Sequence, residues 1–396
     1  MYHRTVIIGG GNAGISVAAR LRRAGQQGIA VIEPGDTHYY QPLWTLVGGG
    51  QADIGITSRP QARVMPRGVS WIKDSATGVS PQRNTVHLAS GRDVSYDFLV
   101  ACPGIYCDWD GVPGLMDALA TPEVSSNYAY NLAPKTWQMI KGLRAGTAIF
   151  TMPANPIKCG GAPQKIAYLA ADYWRKTGVL QDIRIVMVLP TPALFGVEVF
   201  SRELEKVARR YGIEVRLSTE MTAIDSASRT ITVEPVGGGA QERLHYDLLH
   251  AVPPQSAPGW VKRSPLADPE NPLGYISVDR NTLQHTRYPN VFSLGDACSA
   301  PNSKTGAAIR KQAPVLVANL LAALAGGQGD AAYHGYASCP LVTSRRTMLL
   351  AEFDYELNPA PSIPFIDTTR ERRDMWLLKR YGLPFMYWNG ILKGRI

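Results

Sequence analysis

Cys159 stands in the stretch Ile157 to Lys165, IKCGGAPQK, which combines a thiol, two glycines, a proline and two lysines. Gly160 and Gly161 let backbone approach a flat ligand closely, and Pro163 suits the first turn of a helix. The pattern predicts a helix from Gln164 to Arg175. Its N-terminus, together with Lys158 and Lys165, would put positive charge near the sulfur and favour the thiolate, the reactive form. The competing account is a small buried hydrophobe, since free Cys is among the most buried residue types. A second cysteine, Cys339, precedes Pro340 in Tyr336 to Thr343, YASCPLVT. A residue before proline avoids the helical region, so this stretch reads as extended. The two cysteines are 180 residues apart. Spacing alone leaves open both a redox pair and a buried spectator.

The elements that must position such thiols begin at the N-terminus. Arg4 to Ile8 reads as a strand and runs into Gly9-Gly10-Gly11-Asn12-Ala13-Gly14, a G-x-G-x-x-G loop that opens a predicted helix from Ile15 to Ala24. Such glycines permit a tight turn and the approach of a pyrophosphate to a helix N-terminus. Ile29 to Ile32 is the next strand and ends in Glu33, nineteen residues beyond Gly14, where a carboxylate accepts bonds from ribose hydroxyls. FAD and NAD both fit this fingerprint. Tyr96 to Gly104 and Thr286 to Asp296 read as strands ending in glycine turns, and both resemble segments of the two-dinucleotide-binding-domain flavoproteins. That resemblance implies FAD, with Asp296 bonded to the ribityl chain; a plain helix N-cap is the alternative for Asp296.

The middle of the chain has strand Asp182 to Leu189 and helix Val199 to Tyr211, with Glu203, Lys206 and Arg209 on the polar side. The turn between them, Pro190 to Gly196, has one glycine and two prolines where a dinucleotide loop needs several glycines and their N–H groups. A pyridine nucleotide is therefore not expected there, and another reductant must serve the flavin. The expected division is a discontinuous FAD domain, 1–108 and 271–330, a second Rossmann-like domain, 109–270, and a C-terminal region, 331–396.

Composition bounds the function. The 396 residues are 45% hydrophobic and 18% charged, with a net charge of +9, which suits an anionic partner or surface. Five cysteines, an odd number without ligand-like spacing, predict neither a metal site nor a disulfide framework. No leader is expected before the first strand, and no run of roughly 18 apolar residues is expected. Arg370 to Ile396 carries seven Lys or Arg against two acids, so the last 27 residues hold a net +5, mixed with Trp376, Tyr381, Phe385, Tyr387 and Trp388. Basic residues among aromatics suit a membrane interface; a packed helix pair is the alternative, and no nucleic-acid motif accompanies them.

The segments YYQPLWTLVGGG (Tyr39 to Gly50), FTMPANPIKCGGAPQK (Phe150 to Lys165), SKTGAAI (Ser303 to Ile309), YASCPLVT and LLAEFDY (Leu349 to Tyr355) resemble the type II sulfide:quinone oxidoreductases. The resemblance runs from Val6 to about Lys393. It implies an α/β, glutathione-reductase-like flavoprotein with two Rossmann-like units plus a C-terminal membrane-interaction segment. It implies Cys159 and Cys339 as a redox disulfide beside FAD, with Cys102, Cys107 and Cys298 structural. The expected cofactor-binding set is Gly9, Gly11, Asn12, Gly14, Glu33, Gln41, Ala76, Gly295, Asp296 and Lys304. Lys304 would stabilise charge on the reduced ring, unless it is simply a solvent-exposed lysine. The implied partners are hydrogen sulfide, ubiquinone or menaquinone, and a sulfane-sulfur acceptor: glutathione, coenzyme A, sulfite or sulfide. A homodimer is compatible with this reading. The expected location is peripheral, on a bacterial cytoplasmic membrane or, in a eukaryote, the mitochondrial inner membrane. The tail is expected to supply membrane contact and no part of the thiol chemistry. Rival readings are a sulfide dehydrogenase flavoprotein serving a cytochrome, an NADH:quinone oxidoreductase, and a flavin-binding interaction protein without catalysis.

Overall fold

The structure is a computed structural model that describes all 396 residues, Met1–Ile396. Strand Tyr2–Ile8 lies inside a seven-stranded sheet, parallel to Ile29–Ile32 on one side and Asp93–Ala101 on the other. Val6, Ile7 and Ile8 are buried, as expected of a parallel strand covered on both faces. Helix Asn12–Arg23 starts inside the glycine loop, three residues earlier than the apolar pattern suggests, and packs on helix Gly306–Leu324. The segment Thr286 to Asp296 is strand only at Val291–Phe292, which pairs with Leu99 and Val100. Gly295, at φ +75°, then turns the chain out of extension into a short helical turn, Gly295–Ala297.

The middle unit is a five-stranded parallel sheet in the order Val124–Ser125, Leu248–His250, Gly146–Thr151, Ile183–Val188, Glu214–Arg216. Helix Ala162–Lys176 lies on it and buries Ile166, Tyr168 and Trp174. The Trp174 indole N–H donates to Ile140 O at 2.8 Å, so its polar edge is satisfied inside the core. The proline-bearing turn folds back onto this helix: Leu194 is buried and its carbonyl accepts from Gln164 Nε2. The turn is thus held against the helix by a buried side chain and a hydrogen bond.

The C-terminal region begins with an antiparallel hairpin, Ala337–Val342 and Met348–Phe353. It ends in Arg373–Leu377, a π-helical turn Leu378–Gly382, and Leu383–Asn389. This tail has two faces. Met375, Tyr387, Trp388, Ile391 and Leu392 are buried in one cluster with Ile15, Tyr40, Leu43, Val342 and Leu350. Leu377, Tyr381 and Phe385, four residues apart, form an exposed apolar row. One expectation is corrected here. Gly306–Leu324 is long and apolar enough to cross a membrane by length and composition. Ala308, Ile309, Ala313, Leu316 and Leu320 are nevertheless buried, because this helix covers the first sheet.

Candidate active site

The backbone brings the two cysteines together. Cys159 Sγ lies 3.8 Å from Cys339 Sγ, and Lys165 Nζ donates to Cys159 Sγ at 3.1 Å. Cys159 adopts φ +53°, a left-handed conformation that a non-glycine residue holds only when its surroundings fix it. They do so here. Its N–H donates to Lys304 O at 2.9 Å, its carbonyl accepts from Ala162 N at 2.7 Å, and Tyr128 Oη donates to Lys158 O at 3.1 Å. A Cβ on Gly161 would lie 2.4 Å from Leu341 Cδ2 and 2.7 Å from Cys339 Sγ, so this glycine makes room for the second thiol and its strand, while Gly160 has nothing within 4 Å. The hydrogen bond with Cys339 and the charges of Lys165 and Lys379 hold the Cys159 thiol well below its ordinary range, against the effect of burial. The same bond and its own burial push Cys339 up. Lys158 takes no part in this: its Nζ donates to Gln41 Oε1 at 2.7 Å.

A cavity of about 530 Å³ opens beside Cys159. Gly9, Gly11, Asn12, Glu33, Gln41, Asp296 and Lys304, all expected at the cofactor, line it. Gly9 and Gly14 allow the turn itself. A Cβ on Gly9 would meet Cys102 O at 2.3 Å, and one on Gly14 would meet Gly9 O at 1.9 Å. Gly11 has nothing within 4 Å of its missing Cβ, an open cradle at the helix N-terminus. Burial pushes the Asp296 carboxyl up, countered by Lys158 and Lys304, and no protein hydrogen bond holds it. A ligand hydroxyl is what such a carboxylate lacks. Lys304 is buried, not solvent-exposed: its Nζ donates to Cys298 O at 2.8 Å and sits over the Tyr275 ring. Gly295 lies just behind the wall, donating its N–H to Gln312 Oε1 at 3.0 Å. Ala76 is outside the lining of this cavity; it opens strand Ala76–Ser80, paired with Leu88, four residues beyond Ile72, whose carbonyl accepts from Glu33 N.

The family of pyridine nucleotide-disulphide oxidoreductases matches residues 3–317. The mouse mitochondrial sulfide:quinone oxidoreductase is 38% identical over 99% of this chain and 87% of its own length. Its counterpart from Dictyostelium discoideum is 41% identical over 99% of this chain and 86% of its own. The chain belongs to the sulfide:quinone oxidoreductase family. The sulfide:quinone oxidoreductase of Aquifex aeolicus, known from an X-ray structure, shares the fold, with a TM-score of 0.84 at 20% identity, covering 100% of this chain and 92% of that one. Members of the sulfide:quinone oxidoreductase family use FAD, and FAD is the cofactor that the open glycine cradle and the unpartnered Asp296 fit. The relatives at 38–41% identity are mitochondrial, so the expected bacterial membrane finds no support among them.

One residue of the site escapes a sequence reading of this oxidoreductase. Lys379 is buried, its Nζ donates to Pro42 O at 2.8 Å, and its charge acts on Cys159. Burial and Lys165 push its ammonium down to about 7. It lines the same cavity as Cys159, so a residue of the tail adds positive charge near the thiol. Its only sequence signal is a lysine in a basic run. Lys165 gives a direct test. Lys165→Met keeps the side chain's length and removes the charge, so the Cys159 thiol pKa is expected to rise by at least about one unit. The pH at which iodoacetamide alkylation of Cys159 is half-maximal measures it; an unmoved midpoint would refute the assignment of Lys165.

Proposed function

We propose that the protein oxidises sulfide at a Cys159–Cys339 disulfide and delivers the electrons to a membrane quinone. The supporting observation is the 3.8 Å approach of the two sulfurs with Lys165 Nζ on one of them. In the oxidised enzyme a disulfide joins the two cysteines. Hydrosulfide attacks Cys339 Sγ, forming a persulfide bond there and breaking the disulfide, and Cys159 leaves as a thiolate. Exchange is fastest when the leaving thiol has a low pKa, and the surroundings of Cys159 provide that. Lys165 stabilises the released charge, and the fixed turn at Cys159 aims its sulfur at the cavity. Bound FAD supplies a two-electron acceptor that a thiolate can reduce and a quinone can reoxidise. A small nucleophile (glutathione, coenzyme A, sulfite or sulfide) then removes the outer sulfur from Cys339, and the disulfide re-forms when Cys159 gives up its electron pair.

The tail supports the quinone half. Leu383, Met386 and Ile391 line the cavity, while Leu377, Tyr381 and Phe385 on the same segment face out, with Arg370, Arg373, Lys393 and Arg395 exposed around them. An apolar row flanked by cations suits the surface of an anionic membrane, and the cavity lies one helix behind it. The reading is tested by the visible absorbance of bound FAD. Micromolar sulfide is expected to bleach it within seconds and NADH to leave it unchanged. Rapid bleaching by NADH would overturn the reading in favour of an NADH:quinone oxidoreductase.

A further inference from the structure

Gly10 sits at the centre of the dinucleotide loop, and its peptide is fixed at three points. Its N–H donates to Glu33 Oε2 at 2.8 Å; its carbonyl accepts from Gln61 Nε2 at 2.9 Å and from His38 Nδ1 at 3.0 Å. The last of these bonds sets the tautomer. With Nδ1–H donating to a carbonyl, His38 Nε2 is left as an acceptor, so the Tyr387 hydroxyl 2.6 Å away must be the donor. Burial pushes the imidazole down to about 4, so it stays neutral and keeps this arrangement at ordinary pH. Both side chains are buried. The chain Tyr387–His38–Gly10 thus runs from the C-terminal segment to the loop that holds the cofactor, joining residues 349 positions apart.

A merely structural bond at this place would end on a core group. This one ends on the carbonyl that shares a planar peptide with the Gly11 N–H, so its orientation sets where that N–H, at the open helix N-terminus, points. We propose that Tyr387 is a positioning residue for FAD: by donating to His38 it fixes the Gly10 peptide, so that seating of the C-terminal segment sets how tightly the dinucleotide is held. The segment that faces the membrane is then also part of the cofactor's grip. The inference concerns FAD retention alone and is independent of the reading that sulfide is the substrate.

The test is FAD release from holoenzyme, recorded as the rise in flavin fluorescence after dilution into FAD-free buffer. Tyr387→Phe removes the donor and keeps the ring in its contacts with Tyr40 and Trp388. It is expected to speed release roughly fivefold, the worth of one net hydrogen bond. His38→Phe is expected to do the same, and the double variant to be no faster than either single one, because one chain is cut in two places. If His38→Phe fails to fold, Tyr387→Phe alone decides. Leu392→Ala is the control. It loosens the same buried cluster at a side chain that lies outside the cavity lining and makes no hydrogen bond in the relay, so it should lower Tm while changing the release rate by less than about twofold. Release from Tyr387→Phe at the wild-type rate would overturn the proposal, and so would equal acceleration by Leu392→Ala, which would make packing the cause.

Discussion

Cys159→Ser is expected to lower sulfide-dependent quinone reduction by at least about a thousandfold, and Cys339→Ser to do the same, because either change removes the disulfide through which sulfide enters. The two variants differ in what survives. In Cys339→Ser, Cys159 keeps Lys165 at 3.1 Å and the nearby Lys379 charge, so iodoacetamide should alkylate it readily at neutral pH. In Cys159→Ser, the remaining thiol is buried and its pKa is raised by that burial, so alkylation should be slow until well above pH 9. The sign follows from the charged form: Lys165 stabilises a thiolate, so more of it survives as pH falls. Normal turnover in either variant would end the disulfide mechanism; the reverse order of alkylation would exchange the roles of the cysteines.

The second large effect concerns the tail. Truncation before Arg370 is expected to yield protein without FAD and without a cooperative thermal transition. Five buried side chains leave the core, Met375, Tyr387, Trp388, Ile391 and Leu392, each worth roughly 1.5–3 kcal/mol against a whole stability of about 5–15 kcal/mol. Replacing the outer row, Leu377→Ser/Tyr381→Ser/Phe385→Ser, touches none of that. The triple variant should keep its FAD absorbance and Tm within about 2 °C, while its binding to anionic vesicles falls on the order of a hundredfold. A truncated protein that retains FAD would show the tail to be a detachable anchor. Undiminished vesicle binding by the triple variant would move the membrane contact elsewhere.

Much of the first unit is legible in the chain because its signals are local. The glycine loop, its strand, its helix and Glu33 lie within about 30 residues, and each constrains the backbone directly. The cysteine turn is half legible. Thiol, glycines and Pro163 mark a reactive loop, but nothing local shows that Gly161 makes room for Cys339 or that Cys159 takes φ +53°. Those facts depend on a hairpin 180 residues away. Lys158 and Lys165, one residue before and six residues after Cys159, look equivalent in sequence. Helix geometry separates them: Lys165, inside Ala162–Lys176, turns to the sulfur, whereas Lys158, before it, reaches Gln41. In the tail, basic and aromatic residues suit a membrane interface and a packed helix pair alike, and nothing local tells which face is buried.

The first sheet receives its last neighbour, Val291–Phe292, about 190 residues after the strand it pairs with, and the loop that grips the cofactor is tied to Tyr387. A chain made from its N-terminus at about 5–20 residues per second therefore spends tens of seconds with the glycine loop present but its surroundings unfinished. The surroundings of the glycine loop are complete only once the C-terminal residues have emerged from the ribosome. Until then the strand Asp93–Ala101 lacks the neighbour Val291–Phe292 and the cluster around Tyr40 lacks its cover.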